Sequence, residues 1–382
     1  MVSFGIYIAI SFPDLTDSYM ALFFMLLSFL VSCFLLATDP TVTKFEFGIL
    51  LLTLLMLVLS FLQGTKFKEW IYQGSSILLL IFLFRYYRDQ LSPLLIGMLL
   101  AMTIAVYAGL LQLVRHPEMW IVENHKYITG YLLGGNYNGM GCRLLAAIVI
   151  NIVCLRISKW FWINLIPLTI CCFALLFIVR SMTSLSSLLL FIFICLFPSI
   201  RLQRLGTILL FVGVMLFQIF VCFQGNGLQD NALAKWLVVD VMEKDLTFTY
   251  RTYMWDLAID CYAKSPIWGH GYVDGEWFLA NMTWRAVGPH NMILCVLIYA
   301  GVFGLVIYFA SMYYSFRKVL SVNDRIANCS FAAIVVFSLM MLMECYPFPF
   351  YFLLLVIAFY YPELNEQMTK KAPKSEIKDK VL

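Results

Sequence analysis

"GPHNMILCVLIYAGVFG" (residues 288–304) opens on one of the four histidines of the chain and passes at once into apolar sequence that runs to about residue 314. An uncharged run of that length is enough for a helix to cross the hydrocarbon layer, which takes about 20 mainly apolar residues. Similar runs recur from end to end, over about 18–37, 45–62, 71–87, 93–114, 139–155, 162–179, 184–198, 205–223, 329–345 and 347–361. The 382 residues are 62% hydrophobic and only 13% charged, with a mean hydropathy of +0.87. A soluble domain has nowhere to hide so much apolar surface. The expected fold is an all-α polytopic membrane protein of eleven spans, or twelve if "MVSFGIYIAISF" at the start is one. That opening stretch has neither a basic start nor a small-residue cleavage site, so it reads as mature protein. The runs are continuous rather than alternating, which disfavours a β-barrel.

The whole chain, 1–382, reads as a single integral membrane domain. Hydrophilic sequence longer than a turn occurs at about 115–138, at about 224–290, and in a lysine-rich tail within 362–382. The eleven cysteines are scattered through the spans without metal-ligand spacing, and packing is the role assigned to them.

Lys and Arg collect in cytoplasmic loops. With the tail inside, the inner segments carry Lys44, Arg85, Arg88, Arg156, Lys159, Arg201, Arg204, Arg317, Lys318, Arg325 and five tail lysines. The outer segments carry ten basic residues, five of them in the 224–290 loop, where the rule counts least. The 115–138 and 224–290 loops and all four histidines (His116, His125, His270, His290) are therefore expected outside. Twelve spans put both termini in the cytoplasm, and eleven put the N-terminus outside.

Within the large loop, "TYRTYMWDLAIDCYAKSPIWGHGY" (249–272) repeats polar residues every four positions at Thr252, Asp256, Asp260 and Lys264. Aromatic and apolar residues fill the rest, which predicts an amphipathic helix that Arg251 opens and Ser265-Pro266 ends, followed by a Gly269-x-Gly271 turn. After it, Gly288-Pro289 breaks the chain and His290 caps an outward-opening span. On an unbroken helix His290 and Gly301 share one face, with Gly304 adjoining, and small residues there admit a close neighbour. The positive end of the helix dipole disfavours imidazolium, and a neutral imidazole is the form a general base needs. The alternative is an interfacial histidine that is simply solvated.

His290-Asn291, nine residues, then Gly301-x-x-Gly304 resembles the histidine motif of the O-antigen ligase and O-antigen polymerase family. "YRTYMWDLAIDCYAKSPIWGHGY" resembles that family's loop segment of arginine, tryptophan, helix, Pro and Gly-x-Gly. "GGNYNGMGCRLLAAI" (134–148) is similar to its asparagine-rich start of an earlier span. "VRSMTSLSSLLL" (179–190) is similar to its arginine-bearing outer turn, with Ser-Met-Thr after Arg180 departing from the commoner small residues. The likeness covers roughly 130–310. It implies a membrane glycosyltransferase whose donor is a glycan on undecaprenyl diphosphate. The implied acceptor is another lipid-linked repeat unit for a polymerase, or a lipid A-core sugar for a ligase. Membrane lipids surround such an enzyme, a chain-length regulator is a conceivable partner, and nucleic acid is not expected. The implied location is the bacterial inner (plasma) membrane, with the site facing the periplasm or outside.

Cleaving an anomeric carbon–phosphate bond leaves negative charge on a diphosphate. No Asp-x-Asp or comparable acidic pair stands out in an outer loop, so no metal or other cofactor is expected. Guanidinium groups bind phosphate in a planar, bidentate way and suit a metal-free site. Arg180 and Arg251 are expected to bind the diphosphate, and His290 to deprotonate the attacking hydroxyl. Alternatives stand beside each: Arg180 as a headgroup anchor, Arg251 paired with Asp256. Arg143, about one turn inside a span, lines the cavity or pairs with Glu344. Asn136 and Asn138 bind substrate or cap the next helix, and Asn291 is counted among the substrate-binding residues. Trp268, Trp277 and Trp284 stack on sugars or sit at the interface, and the three other histidines read as solvated.

Three functions follow from this reading: a polymerase of surface polysaccharide, a ligase, or a lipid-linked oligosaccharide flippase. The long outer loop, rich in aromatic and acidic groups, favours the polymerase over the ligase. A transporter places polar groups near the midplane, often on broken helices, whereas these spans are clean and the polar groups lie in outer loops.

Overall fold

The computed structural model describes residues 19–116, 139–225, 232, 236, 250–282 and 288–371. Each of the eleven apolar runs coincides with a helix, and the described part of the chain is all-helical. In chain order these are α1 (Tyr19–Thr38), α2 (Lys44–Leu62), α3 (Phe67–Tyr86), α4 (Leu91–Arg115), α5 (Met140–Cys154), α6 (Trp162–Ile178), α7 (Met182–Cys195) and α8 (Ile200–Phe217), which runs on through a π turn to Cys222. The loop helices α9 (Arg251–Ala263) and α10 (Gly275–Asn281) follow, then α11 (Met292–Val319), α12 (Arg325–Met340) and α13 (Phe348–Lys371). The twelfth candidate span, residues 1–12, lies outside the described residues.

Local signals set several helix starts. Thr43 and Glu46 form a reciprocal capping box on α2, and the side chains of Ser199, Asp274, Asn291 and Asp324 cap α8, α10, α11 and α12. Burial then sorts the helices into layers. The apolar window of α13 is 83% buried and that of α3 is 78% buried, whereas only 22% is buried in the span that contains α8. Accordingly α13 packs against α3, α5, α11 and α12 at the centre, and Ile163, Ile166, Ile170 and Phe177 of α6 point outward. Outward apolar side chains on a closed helical bundle are what a lipid solvent requires. The chain is a polytopic membrane protein.

The amphipathic loop helix forms as α9, but its buried face is Thr252, Trp255, Ala258 and Cys261. Thr252 therefore leaves the polar stripe assigned to it, while Asp260 and Lys264 remain exposed.

The larger correction concerns α11. The expectation of one continuous face from His290 to Gly301 fails, because Gly301 (φ 62°, ψ −164°) interrupts the helix. Residues 266–271 fill the gap. His270 N–H donates to Ile298 O (2.7 Å) and Gly271 N–H to Tyr299 O (2.9 Å), while Val302 N–H donates to Pro266 O (2.9 Å) and Phe303 N–H to Ile267 O (3.3 Å). These bonds engage backbone groups that a break leaves orphaned inside a membrane. A Cβ on Gly301 would run into Ile267 O, and one on Gly269 would sit 2.6 Å from Ala300 N. Gly269 and Gly301 are thus the two sides of one contact, between loop and helix rather than helix and helix, while Gly271 sits against the backbone of α2 at Ser60. Gly304, one turn on, faces Leu52 of α2.

Candidate functional site

His290 precedes α11, but it is not the cap. Asn291 holds that position: its Oδ1 accepts from Leu294 N (3.0 Å), and its Nδ2 donates to Gln218 Oε1 (2.8 Å) and Leu342 O (3.3 Å). Asn291 is fully buried, and its amide is engaged at both ends within the protein, holding the start of α11 in place. Relieved of capping, His290 adopts a left-handed backbone (φ 46°). Its Nδ1 lies 2.9 Å from Glu344 Oε1. A carboxylate only accepts, so a neutral imidazole bonded this way carries its proton on Nδ1 and leaves the Nε2 lone pair available.

Glu344 belongs to the connection between α12 and α13, "MLMECYP" (341–347), and neighbouring elements hold this connection residue by residue. Met341 O accepts from Met292 N (2.9 Å), and Leu342 O from Asn291. Met343 O accepts from Arg251 Nε (3.1 Å). Cys345 is disulfide-bonded to Cys295 in the second turn of α11, which corrects the packing role assigned to those two cysteines. Burial pushes the Tyr346 hydroxyl well above its usual range, with a hydrogen bond to Ser184 opposing it. The sequence signal for this platform was a glutamate beside an apolar span next to prolines. From the sequence alone it stands only as a partner for Arg143.

Arg180 lies in the turn between α6 and α7 with φ 55°, exposed to solvent. It stands at the same end of the bundle, because the adjoining Ser181 bonds to Ser184 Oγ (3.0 Å), the serine that meets Tyr346. Arg251 opens α9 immediately after Tyr250, which has φ 65°. Arg180, Tyr250 and His290 are the non-glycine residues with positive φ among those described. Such backbone is costly and gathers where a structure fixes functional groups. Each of the three is, or directly precedes, a residue singled out from the sequence.

Arg143 is buried near the start of α5, with its guanidinium 5.3 Å from the Phe350 ring centroid and Nη1 3.4 Å from Gly139 O. Asn136, Asn138, His125 and Trp284 lie outside the described residues. His270 is built in rather than solvated: its Nε2 lies 3.0 Å from Cys261 O and its ring packs on Trp277. Trp268 is exposed beside Phe303.

A cavity of about 500 Å³ is lined by residues that follow the pair in sequence, although neither His290 nor Glu344 lines it. Met292, Cys295, Cys345 and Tyr346 make one wall, continuous in sequence with Asn291 and Glu344, and Tyr72, Gln73, Tyr272 and Asp274 face it. Gln73 Nε2 donates to Tyr272 OH (2.7 Å). Flat rings beside amide, hydroxyl and carboxylate groups suit a polyhydroxylated ligand.

Residues 167–309 match a family model described as O-antigen ligase. That segment contains Arg180, Arg251, His290 and both glycine pairs, but ends before Glu344. No curated protein matches the chain.

Proposed function

Residues 167–309 belong to the O-antigen ligase/polymerase family, and from that premise we propose that the protein transfers a glycan from a lipid diphosphate carrier to a sugar hydroxyl. In this reading His290 Nε2 takes the proton of the acceptor hydroxyl as its oxygen bonds to the anomeric carbon. The bond from that carbon to the diphosphate breaks, and the charge left on the carrier diphosphate is taken up by Arg251 and Arg180. Glu344 holds the imidazole in the accepting tautomer and stabilises the imidazolium that forms. The observation that carries the reading is a carboxylate-oriented imidazole whose partner Glu344 sits on the connection that Arg251 also bonds, with Arg180 in a turn at the same end of the bundle. A disulfide at that end supports an oxidising, extracytoplasmic compartment.

We assign polymerisation of lipid-linked repeat units into surface polysaccharide, favoured by the length of the 224–290 loop, which suits two extended glycans. Ligation to lipid A-core is the second reading, since the matched family model carries the ligase description. The broken helix α11 does not favour a flippase, because its gap is filled by loop backbone.

A deletion strain analysed on a glycan gel separates the three. Loss of the length ladder, with single repeats still on acceptor, supports the polymerase. Long chains stranded on the carrier mean a ligase, and repeats trapped on the cytoplasmic side mean a flippase. Arg180→Lys should rescue poorly, because an ammonium cannot reproduce a planar bidentate contact. A full ladder from His290→Ala removes the proposed base.

A further inference from the structure

The opposite end of the bundle carries a second cavity, of about 530 Å³, where the start of α2 meets the ends of α3 and α11 and the middle of α13. Five cations line it: Lys44, Arg85, Arg88, Arg317 and Lys318. The carboxylates present are Glu46 and Glu363 in the wall and Asp39 behind it, so the formal charge of the cluster is an excess of two positives. All three acids are already engaged. Asp39 pairs with Arg85 at 3.0 Å and lies 3.8 Å from Arg88, and the Arg85 guanidinium holds its carboxyl well below the usual carboxylate range. Glu363 pairs with Lys318 at 3.0 Å. Glu46 accepts from Thr43 N (2.7 Å) and from Tyr360 OH. Lys44 and Arg317 have no ion-pair partner among the described residues.

Positive charge at this end is expected for topology alone, and exposed lysines and arginines satisfy that requirement in water. Arg85 does not fit that account. It is only 4% exposed, and although Asp39 occupies its Nε and Nη2, its Nη1 has no hydrogen-bond partner among the described residues. A buried guanidinium N–H without an acceptor is costly to keep. An acceptor-rich anion in the cavity would satisfy it and balance the excess charge together. The hydroxyls of Thr41 and Ser321 also line the space, and Phe45 and Phe359 form its apolar side.

We propose that this cavity is a phosphate-binding site, taking the phosphodiester headgroup of an anionic phospholipid. The headgroup phosphate meets Arg85, Arg317 and Lys44, and an acyl chain runs along the apolar wall. Basic pockets between helices on the cytoplasmic side recognise anionic headgroups in this way. The site is distinct from the His290 end and does not depend on the reaction proposed there.

Native mass spectrometry of the full-length, delipidated protein with added phosphatidylglycerol, phosphatidylcholine or pyrophosphate tests it. The wild type should retain one phosphatidylglycerol in preference to phosphatidylcholine. Lys44→Ala with Arg317→Ala, two exposed side chains whose loss leaves the core intact, should weaken that retention about 30-fold, from the contribution of two basic groups near a phosphate. Pyrophosphate binding with the same variant dependence, and no lipid preference, would support the phosphate site but overturn the headgroup as its source. Equal retention of the two lipids without pyrophosphate binding, or an unchanged double variant, overturns the site.

Discussion

Glu344→Gln is the sharpest test of the proposed chemistry, because it removes the charge facing His290 while leaving an acceptor at the same place. The Nδ1–Oε1 contact is 2.9 Å, and the two side chains are 26% and 12% exposed, so water screens the pair only in part. A charge-assisted hydrogen bond contributes about 1.5–3 kcal/mol and a neutral one about 0.5–1.5 kcal/mol. The substitution should therefore cost about 1–2 kcal/mol, and it should cost it when the imidazole gains its proton. At roughly 1.4 kcal/mol per tenfold, kcat falls about 5- to 30-fold with little change in KM. His290→Ala should cost more, about 10²- to 10⁴-fold, as expected for loss of a general base. The assay is release of carrier diphosphate by the protein in liposomes supplied with lipid-linked glycan. Because Glu344 is argued to act through His290, adding Glu344→Gln to His290→Ala should cost nothing further. A wild-type rate for Glu344→Gln, or the same drop with and without His290, would refute the reasoning.

Three further outcomes follow from the structure. Gly301→Ala should lower the thermal midpoint in detergent, since this backbone region alone costs a non-glycine residue about 1–3 kcal/mol and the new Cβ meets Ile267 O; an unchanged midpoint would mean that the loop is not seated in the break. Replacing both Cys295 and Cys345 by Ser opens a closure of 50 residues and should cost about 2–4 kcal/mol; reductant should reproduce the loss in the wild type and leave the double variant unmoved. Asp39 has a folded-state pKa below its unfolded value near 3.9, so its stabilising contribution is complete above about pH 5 and is lost as pH falls through the folded value. Asp39→Asn should thus unfold at a lower temperature than the wild type near pH 7, with the gap narrowing below about pH 4 and closing only as pH falls through the folded value.

Legibility in the sequence followed the range of each interaction. The spans were readable because a membrane helix is specified by its own length and apolarity, and each of the eleven runs is a helix. The loop helix and the positions of Arg180, Arg251 and His290 were readable because caps, breakers and short motifs are local. The disulfide was missed because nothing in a 50-residue spacing marks Cys295 and Cys345 apart from nine other cysteines. Thr252 was misplaced because a four-residue polar repeat does not say which face the bundle covers.

By itself, the sequence determined that the chain is a polytopic helical membrane protein with charge biased to one side, since apolar length and charge placement act through solvent and need no partner. Only the tertiary structure decided that Gly301 is a break filled by residues 266–271, and that the connection at 341–347 carries Glu344 to His290. Those contacts join residues tens of positions apart whose individual types are unremarkable, and their meaning arises from the distance that packing imposes between them.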